Sequence, residues 1–182
     1  MRPARDAIRL RARTPADTAF LREVYGGTRA EELARVPWSE EQKAAFVEQQ
    51  FAAQAAQYDA AHPDASFLVI ELAGERVGRL YVDRDDAAIH VIDIALLPAH
   101  RGRGIGGMLL AELLAEARAS KRAVRIYVER FNPARRLYDR LGFVALEVHG
   151  VYDLMEWRAD GVAAPSAPLH RRAPRGTPER LR

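Results

Sequence analysis

One stretch of the chain has the residue types and spacing of an anion-binding site. An apolar run over residues 89–97 stops at Pro98, and His100-Arg101-Gly102-Arg103-Gly104-Ile105-Gly106-Gly107 then precedes an apolar-periodic segment. This order predicts a strand, a turn with little side-chain cover and the start of a helix. Backbone N–H groups and the positive end of the helix dipole then point at one spot, where a phosphate group binds most readily.

Two classes of cofactor suit such a turn. Gly102-x-Gly104-x-x-Gly107 matches the dinucleotide fingerprint, and Glu129 ends the next predicted strand, as a ribose-binding acid would. An antiparallel meander precedes the turn, however, and only one strand-helix-strand crossover is predicted. Two arginines within the turn would also crowd the approach of a pyrophosphate to the backbone. A dinucleotide-binding oxidoreductase is therefore the weaker alternative, and a P-loop is excluded because no Gly-Lys-Ser/Thr follows the turn.

The elements that must position this turn follow from hydrophobic periodicity and from cap and turn residues. A helix is predicted to start at Thr14-Pro15 and to end at Gly26-Gly27, before an irregular segment, and a second helix starts with a capping box at Ser39. Short turns make the central strands antiparallel, whereas the crossover helix makes the strand after it parallel to the strand before the glycines. The predicted strands span 8–12, 66–73, 76–84, 88–97, 124–128, 143–148 and 152–157, with a helix up to Ser120 and a short helix after Asn132-Pro133.

Composition limits the class of protein. The 182 residues are 48% hydrophobic and 29% charged, which suits one domain with a substantial core plus a tail. No apolar run reaches the roughly 20 residues that span a bilayer, and the N-terminus lacks the apolar region of a secretory signal. The chain has no cysteine, so a disulfide framework and a cysteine nucleophile are excluded. We expect a cytoplasmic protein with no membrane partner.

The positive charge lies in the C-terminal segment. From Ala159 onward the chain has five arginines against two acidic residues, which accounts for the whole net charge of +3. A nucleic-acid partner is therefore not expected. The same segment is rich in Ala, Pro and Arg, so we predict a domain over 1–158 and a disordered tail over 159–182.

Two motifs resemble one known family. Arg101-x-x-Gly104-x-Gly106, after a strand that ends Ile94-Ala95-Leu96-Leu97-Pro98, resembles the acetyl-CoA motif of the GNAT superfamily of N-acetyltransferases. A second signature, Asn132-x-x-Ala-x-x-Leu-Tyr138-x-x-x-Gly142-Phe143, follows the parallel strand, and the element order over residues 7–158 is similar as well. The resemblance implies an α+β fold with three α/β/α layers, whose mixed, mostly antiparallel sheet splays between its two parallel strands.

The resemblance also implies acetyl-CoA as cosubstrate, with no metal. The pantetheine arm would pair with the backbone of the strand before the turn, as an extended peptide pairs with a sheet edge, and Asn132 would reach the arm with its amide. The alternative for Asn132 is an N-cap before Pro133. The implied cofactor-binding residues are Ile94, Ala95, Leu96, Arg101, Gly102, Arg103, Gly104, Ile105, Gly106, Asn132 and Tyr138.

Catalytic roles are implied for three residues. Tyr138 occupies the position of the family's general acid, although its spacing with Leu137 and Leu141 also suits a core aromatic. Glu129 and Asp93 are candidates for the general base, as is His90, and each is more often a structural polar residue. Strict alternation predicts Asp93 on the face of Val91 and Ala95, with His90 on the opposite face. A backbone N–H at or near Leu96 is the implied oxyanion donor, and the five histidines show no metal-ligand spacing.

The predicted function is therefore an N-acetyltransferase that acts by direct transfer in a ternary complex. Its acceptor would be a primary amine, with a small molecule favoured over a protein or peptide amine. A non-catalytic acyl-CoA sensor or scaffold is the alternative, against which the presence of Tyr138 and Asn132 argues. The resemblance implies a homodimer through the closing strands and an acceptor site covered by the first two helices, with candidate residues Arg29, Glu31, Glu32, Trp38, Gln42, Phe46, Gln50 and Gln54.

Overall fold

The computed structural model describes residues 3–159, and these contain seven strands and four α-helices. The strands are β1 (Ile8–Ala12), β2 (Ser66–Leu72), β3 (Glu75–Arg84), β4 (Ala88–Leu96), β5 (Ala123–Glu129), β6 (Val144–His149) and β7 (Tyr152–Trp157). The helices are α1 (Thr18–Leu33), α2 (Glu40–Ala61), α3 (Ile105–Ser120) and α4 (Arg135–Arg140). No helix among the described residues has the length and apolar character to cross a membrane.

The strands form one sheet in the order β1-β2-β3-β4-β5-β7-β6. Every neighbouring pair is antiparallel except β4 and β5, which are parallel because α3 carries the chain across between them. One apolar cluster packs α3 and Tyr138 of α4 on one face, and a second packs α1 and Phe51 of α2 on the other. The three layers and the mixed sheet confirm the predicted fold class.

β4 and β5 separate halfway along their length. Their ladder runs from Ala88–Ala123 to Val91–Ile126 and stops there, although both strands continue. On its other side, β4 has a bulge: Val82 of β3 lies opposite Val91, whereas Tyr81 lies opposite Asp93. The extra residue bends β4 away from β5, since a bulge adds local twist to its strand. The predicted splay is confirmed, and the opening that it leaves is called the gap below.

Helix α1 differs from the prediction. Gly26 and Gly27 do not end it, and the helix continues to Leu33, so the segment predicted to be irregular begins inside it. A Cβ at Gly27 would lie 3.2 Å from Pro98 Cδ, and one at Gly26 would lie 3.4 Å from Val47 Cγ1. Two glycines in a helix interior cost helix propensity, but here they let α1 approach both α2 and the glycine turn.

The C-terminal segment falls outside the described residues from residue 160 onward. The predicted boundary at 158 and the predicted disorder of the tail therefore stay predictions.

Candidate active site

The glycine turn shapes an anion site at the start of α3. Gly102 and Gly104 have φ angles of +71° and +83°, a conformation that favours glycine. The first helical bond runs from Met108 N to Gly104 O at 3.0 Å. The N–H groups of Ile105, Gly106 and Gly107 therefore have no intrahelical acceptor, and they lie at the positive end of the helix dipole. The predicted turn has the geometry of a phosphate cradle.

Arg101 braces this turn with its side chain. Its Nε donates to Leu96 O and its Nη2 donates to Gly27 O, both at 2.9 Å, which ties the turn to the end of β4 and to α1. Its backbone N–H donates to Pro98 O at 3.2 Å. Arg103 Nη1 lies 3.3 Å from His100 Nδ1. A direct contact of either arginine with a cofactor stays a prediction, and the observed role of Arg101 is to hold the turn in shape.

The end of β4 presents backbone groups to the gap. Leu97 N donates to Val77 O at 2.9 Å, so Leu97 faces β3. Because successive residues of a strand direct their N–H and C=O groups to opposite sides, Leu96 and Ile94 direct theirs to the gap. Neither residue pairs with β5, whose ladder with β4 ends before them. Of the three predicted pantetheine partners, Ile94 is therefore accessible and Ala95 faces β3. Leu96 offers its N–H alone, because Leu96 O accepts from Arg101 Nε.

Asp93 lies on the face of Ala95, as predicted, but not on the face of Val91. The bulge at Ile92 interrupts the alternation, so Asp93 shares a face with His90 and Ala95 and not with Val91. On this face Asp93 Oδ2 accepts a hydrogen bond of 2.6 Å from Arg79 Nη2. His90, in contrast, lies where β4 and β5 are still paired, and its Nε2 is 2.9 Å from an oxygen of Asp85. Asp93 thus borders the gap and His90 does not.

Tyr138 of α4 lies in the apolar cluster that packs α3 against the sheet. The side chain is 4% exposed and packs edge-on against Phe143, with ring centroids 5.7 Å apart, so the expectation of a core aromatic is met. Its hydroxyl has no hydrogen-bond partner among residues 3–159. Burial raises the pKa of Tyr138, and the negative charge of Asp93 raises it further. The phenol therefore keeps its proton at neutral pH and lies within electrostatic reach of Asp93.

Glu129 and Asn132 lie at the far side of the gap. Glu129, the last residue of β5, accepts a hydrogen bond of 3.1 Å from Tyr152 Oη. Asn132 Oδ1 accepts one of 2.9 Å from Ala134 N, so the predicted capping role is present. The Asn132 amide nitrogen makes no hydrogen bond to residues 3–159, and the side chain is exposed, which leaves its donors for a ligand.

Sequence reasoning missed Arg79 and Tyr58. Arg79 is 2% exposed and interrupts an otherwise apolar stretch of β3. A charged residue within an apolar strand could have marked it in the sequence as a candidate site residue. Burial raises the pKa of Tyr58, as does the charge of Asp93, which brings this residue of α2 into the same cluster. Nothing in the spacing of Tyr58 on α2 distinguishes it from an ordinary helix residue.

Comparisons with known proteins agree with this geometry. Residues 63–145 match the family described as the acetyltransferase (GNAT) domain. This chain has the GNAT fold. The matched segment begins just after α2 and ends at the start of β6, and so it includes the gap, the glycine turn and Tyr138. A comparison with the curated proteins finds no match.

Solved structures resemble this chain over most of its length. PaiA N-acetyltransferase from Thermoplasma acidophilum, in complex with coenzyme A, is 20% identical with a TM-score of 0.63, covering 84% of this chain and 99% of that one. An acetyltransferase from Thermus thermophilus is 19% identical with a TM-score of 0.61, covering 87% and 100%. YncA from Salmonella typhimurium, with its cofactor acetyl-CoA, is 23% identical with a TM-score of 0.53, covering 89% and 99%. At these identities the similarity shows the GNAT fold alone.

The predicted acceptor-side residues of this chain divide into two groups. Several have structural partners: Arg29 pairs with Glu32 at 2.9 Å, Gln42 closes the capping box of α2, and Trp38 packs edge-on against Phe46. Gln54 differs, because its Oε1 accepts a hydrogen bond of 2.9 Å from Arg79 beside the gap. Among residues 3–159, no group of three His, Cys, Asp or Glu side chains could hold a metal ion.

Proposed function

We propose that this chain transfers the acetyl group of acetyl-CoA to a primary amine, directly within a ternary complex. The gap between β4 and β5 carries the proposal, because an unpaired strand edge and a helix N-terminus border the same opening, and Tyr138 lies in the apolar cluster on the α3 side of the sheet. We favour a small-molecule amine as acceptor over a protein or peptide amine.

The residues around the gap fit acetyl-CoA. The N–H groups at the start of α3 would bind the pyrophosphate, with Gly102, Arg103, Gly104 and Ile105 forming the turn around it. The backbone of Ile94 would pair with an amide of the pantetheine arm, and the amide of Asn132 would add a further donor. Bound acetyl-CoA would supply the thioester carbon that the amine attacks.

Two donors would stabilise the charge that develops during transfer. Leu96 N–H points into the gap and is the proposed oxyanion donor. Tyr138 would donate to the departing sulfur, and its raised pKa keeps the phenol protonated throughout the neutral range. Burial and the charge of Asp93 keep this hydroxyl neutral, so that it can donate a hydrogen bond to the sulfur as negative charge forms there.

Glu129 is the proposed proton acceptor for the incoming ammonium group. Its hydrogen bond from Tyr152 orients the carboxylate at the end of β5, while it stays half-buried. Asp93 is the other carboxylate at the gap, but an oxygen of Asp93 is engaged by the buried Arg79. We therefore assign Asp93 an electrostatic role. No cysteine is available to carry an acetyl-enzyme intermediate, which favours direct transfer.

The proposal is tested by release of free CoA from acetyl-CoA with a panel of alkylamines, diamines, amino acids and lysine-containing peptides. Turnover with one class is expected, and Tyr138→Phe should lower it by about 100-fold while acetyl-CoA still binds. Binding without turnover for every amine would favour the sensor function. Stabilisation by NAD and not by acetyl-CoA would overturn the assignment of the glycine turn.

A homodimer through the closing strands is part of the proposal. β6 lies at the edge of the sheet, and Val144 and Val148 are 60% and 62% exposed there. An unpaired edge strand with apolar side chains is prone to pair with another strand. Light scattering after size-exclusion chromatography should give the mass of two chains, and Val148→Lys should return the mass to one chain.

A further inference from the structure

Four arginines lie in the glycine turn and on the neighbouring helix without an acidic partner. They are Arg101 and Arg103 in the turn and Arg136 and Arg140 on α4. The guanidinium of Arg101 donates to two carbonyl oxygens, and that of Arg103 lies beside a histidine nitrogen. None of the four forms an ion pair with a carboxylate of residues 3–159, so the described protein leaves their positive charges uncompensated.

This surplus of positive charge is local. The arginines and acidic residues from Ala159 onward account for the whole net charge of +3, so residues 1–158 carry equal numbers of positive and negative side chains. Most of the other described arginines pair with a carboxylate, including Arg135 with Asp153, directly before Arg136. Uncompensated guanidinium groups on neighbouring elements repel one another and attract a polyanion.

Leu137 fixes where the arginines of α4 lie relative to the glycine turn. A Cβ at Gly107 would lie 3.5 Å from Leu137 Cδ1, so this leucine packs on the first turn of α3. In an α-helix, the residues one before and three after a given position lie on the same flank of that position. Arg136 and Arg140 therefore share one flank of the contact with α3. Tyr138, which is buried in the apolar cluster, lies on the opposite flank.

Arg136 and Arg140 are placed where they repel each other. They are one helical turn apart on α4, with about 5–6 Å between their Cβ atoms, and like charges at this spacing destabilise a helix. Asp139, the one acidic residue of α4, forms an ion pair with neither of them. Both arginines are exposed. The same spacing allows two guanidinium groups to contact one phosphate monoester, which has roughly two negative charges and three acceptor oxygens.

We propose that Arg136 and Arg140 form a site for the 3′-phosphate of CoA, separate from the pyrophosphate site at the start of α3. The inference rests on the proposed function, because it assigns a further group of the same cofactor. With the pantetheine arm in the gap and the pyrophosphate at the start of α3, the adenosine with its 3′-phosphate extends over the exposed flank of α4. Arg101 and Arg103 add attraction for the polyanion from the turn. The site makes the protein distinguish CoA from dephospho-CoA, which lacks only this phosphate.

The test compares the binding of CoA and dephospho-CoA by calorimetric titration at low ionic strength. Wild type should bind CoA at least about tenfold more tightly, because two charge-assisted contacts are lost with the 3′-phosphate. Arg136→Gln and Arg140→Gln should each weaken the binding of CoA by about threefold to fivefold and leave that of dephospho-CoA within about twofold. In the double variant the two Kd values should agree within about twofold, because the phosphate and the arginines act through the same contacts.

Arg9→Gln is the matched control. Arg9 is exposed on β1, three strands away from β4, and has no carboxylate partner in the part of the chain that the structure describes. Removing its charge should leave the ratio of the two Kd values unchanged. Raising the ionic strength from about 0.01 M to about 1 M shortens the screening length from ~30 Å to ~3 Å and should lower the wild-type ratio. The Tm without ligand should stay at the wild-type value in every variant, since only exposed side chains change.

Three results would overturn the proposal. They are equal affinity of wild type for CoA and dephospho-CoA, a preference for CoA that the double variant keeps, and an equal loss of both ligands in the variants. The last result would assign Arg136 and Arg140 to the pyrophosphate instead. If neither ligand binds, the proposed function fails as well. If both bind but no amine supports CoA release, the proposed transfer fails, while the ratio of the two Kd values still decides whether the 3′-phosphate site exists.

Discussion

A methyl group added at Gly106 should be tolerated by the fold but should weaken the binding of acetyl-CoA. A Cβ built there has Ile94 Cδ1 and Leu137 Cδ2 as its nearest neighbours, each at 3.9 Å, so the described fold has room for it. Gly106 lies in the first turn of α3, whose backbone conformation suits alanine. Gly106→Ala should therefore stabilise the free protein by about 0.4–1 kcal/mol, mainly by restricting the unfolded chain.

Binding of acetyl-CoA should change in the opposite direction. The added methyl would point between β4 and α4, across the N–H groups proposed to bind the pyrophosphate. A tenfold weaker Kd corresponds to about 1.4 kcal/mol. At a ligand concentration of about 100 times the wild-type Kd, the wild type gains ~2.7 kcal/mol of stability from the ligand. The variant, now at about 10 times its own Kd, should gain ~1.4 kcal/mol.

Thermal unfolding with and without acetyl-CoA measures both effects, and calorimetric titration gives the Kd. For a domain of this size, 1 kcal/mol is about 2–4 °C in Tm, so the free variant should melt slightly higher and its ligand-induced shift should be halved. Gly107→Ala is the control for adding a methyl group to the first turn of α3, because its Cβ would lie at an ordinary contact distance of 3.5 Å from Leu137 Cδ1. Wild-type affinity in Gly106→Ala would refute the pyrophosphate site, and a lower Tm of the free variant would refute the packing argument.

Three further predictions concern the frame of the site. Asp17→Asn should cost about 3 kcal/mol, because Asp17 is 2% exposed and accepts two hydrogen bonds of 2.7 Å from Arg11. The pKa of Asp17 is lowered in the folded state, so the difference in stability between wild type and variant should shrink as the pH falls below about 4. Urea unfolding at several pH values measures this difference, and a difference that does not change with pH would contradict the prediction. Gly78→Ala should lower the free energy of unfolding by about 1–3 kcal/mol and reduce acetyl transfer, because its Cβ would lie 2.3 Å from Ala95 O. An unchanged Tm would exclude this clash. Arg101→Lys should lower stability by about 1 kcal/mol and weaken acetyl-CoA binding, because lysine cannot donate to both Leu96 O and Gly27 O. Unchanged affinity for acetyl-CoA would show that Arg101 stabilises the fold only.

The order and type of the elements could be predicted because local signals and tertiary contacts agree in most of the chain. The capping box at Ser39 and Gln42 forms as its spacing indicates, with Ser39 N donating to Gln42 Oε1 at 2.9 Å. Short turns dictated the antiparallel strands, and the crossover through α3 dictated the parallel pair. The glycine turn was also predictable, since Gly102 and Gly104 adopt the left-handed conformation that few other residues tolerate.

Predictions failed where a tertiary contact outweighs a local rule. Gly26-Gly27 would end an isolated helix, but the helix continues because close packing against Pro98 requires small residues there. The predicted positions of Asp93 relative to Val91 and His90 were wrong, because strict alternation assumes a strand without a bulge. A motif position likewise carries no information on side-chain direction, and the guanidinium of Arg101 reaches back to Gly27 instead of toward the proposed phosphate.

Several irregular features lie together at the end of β4, and each differs from what a regular strand would have there. The ladder to β5 stops at the bulge at Ile92, which leaves the N–H of Leu96 for a ligand. Gly78 opposite Leu96 lets β3 follow the bent strand closely, because any Cβ there would collide with Ala95 O. Asp93 introduces a charge into an apolar strand, and the buried Arg79 is then required to hold it. A sequence selected only for a stable sheet would need none of these residues, whereas a site between two splayed strands needs all of them.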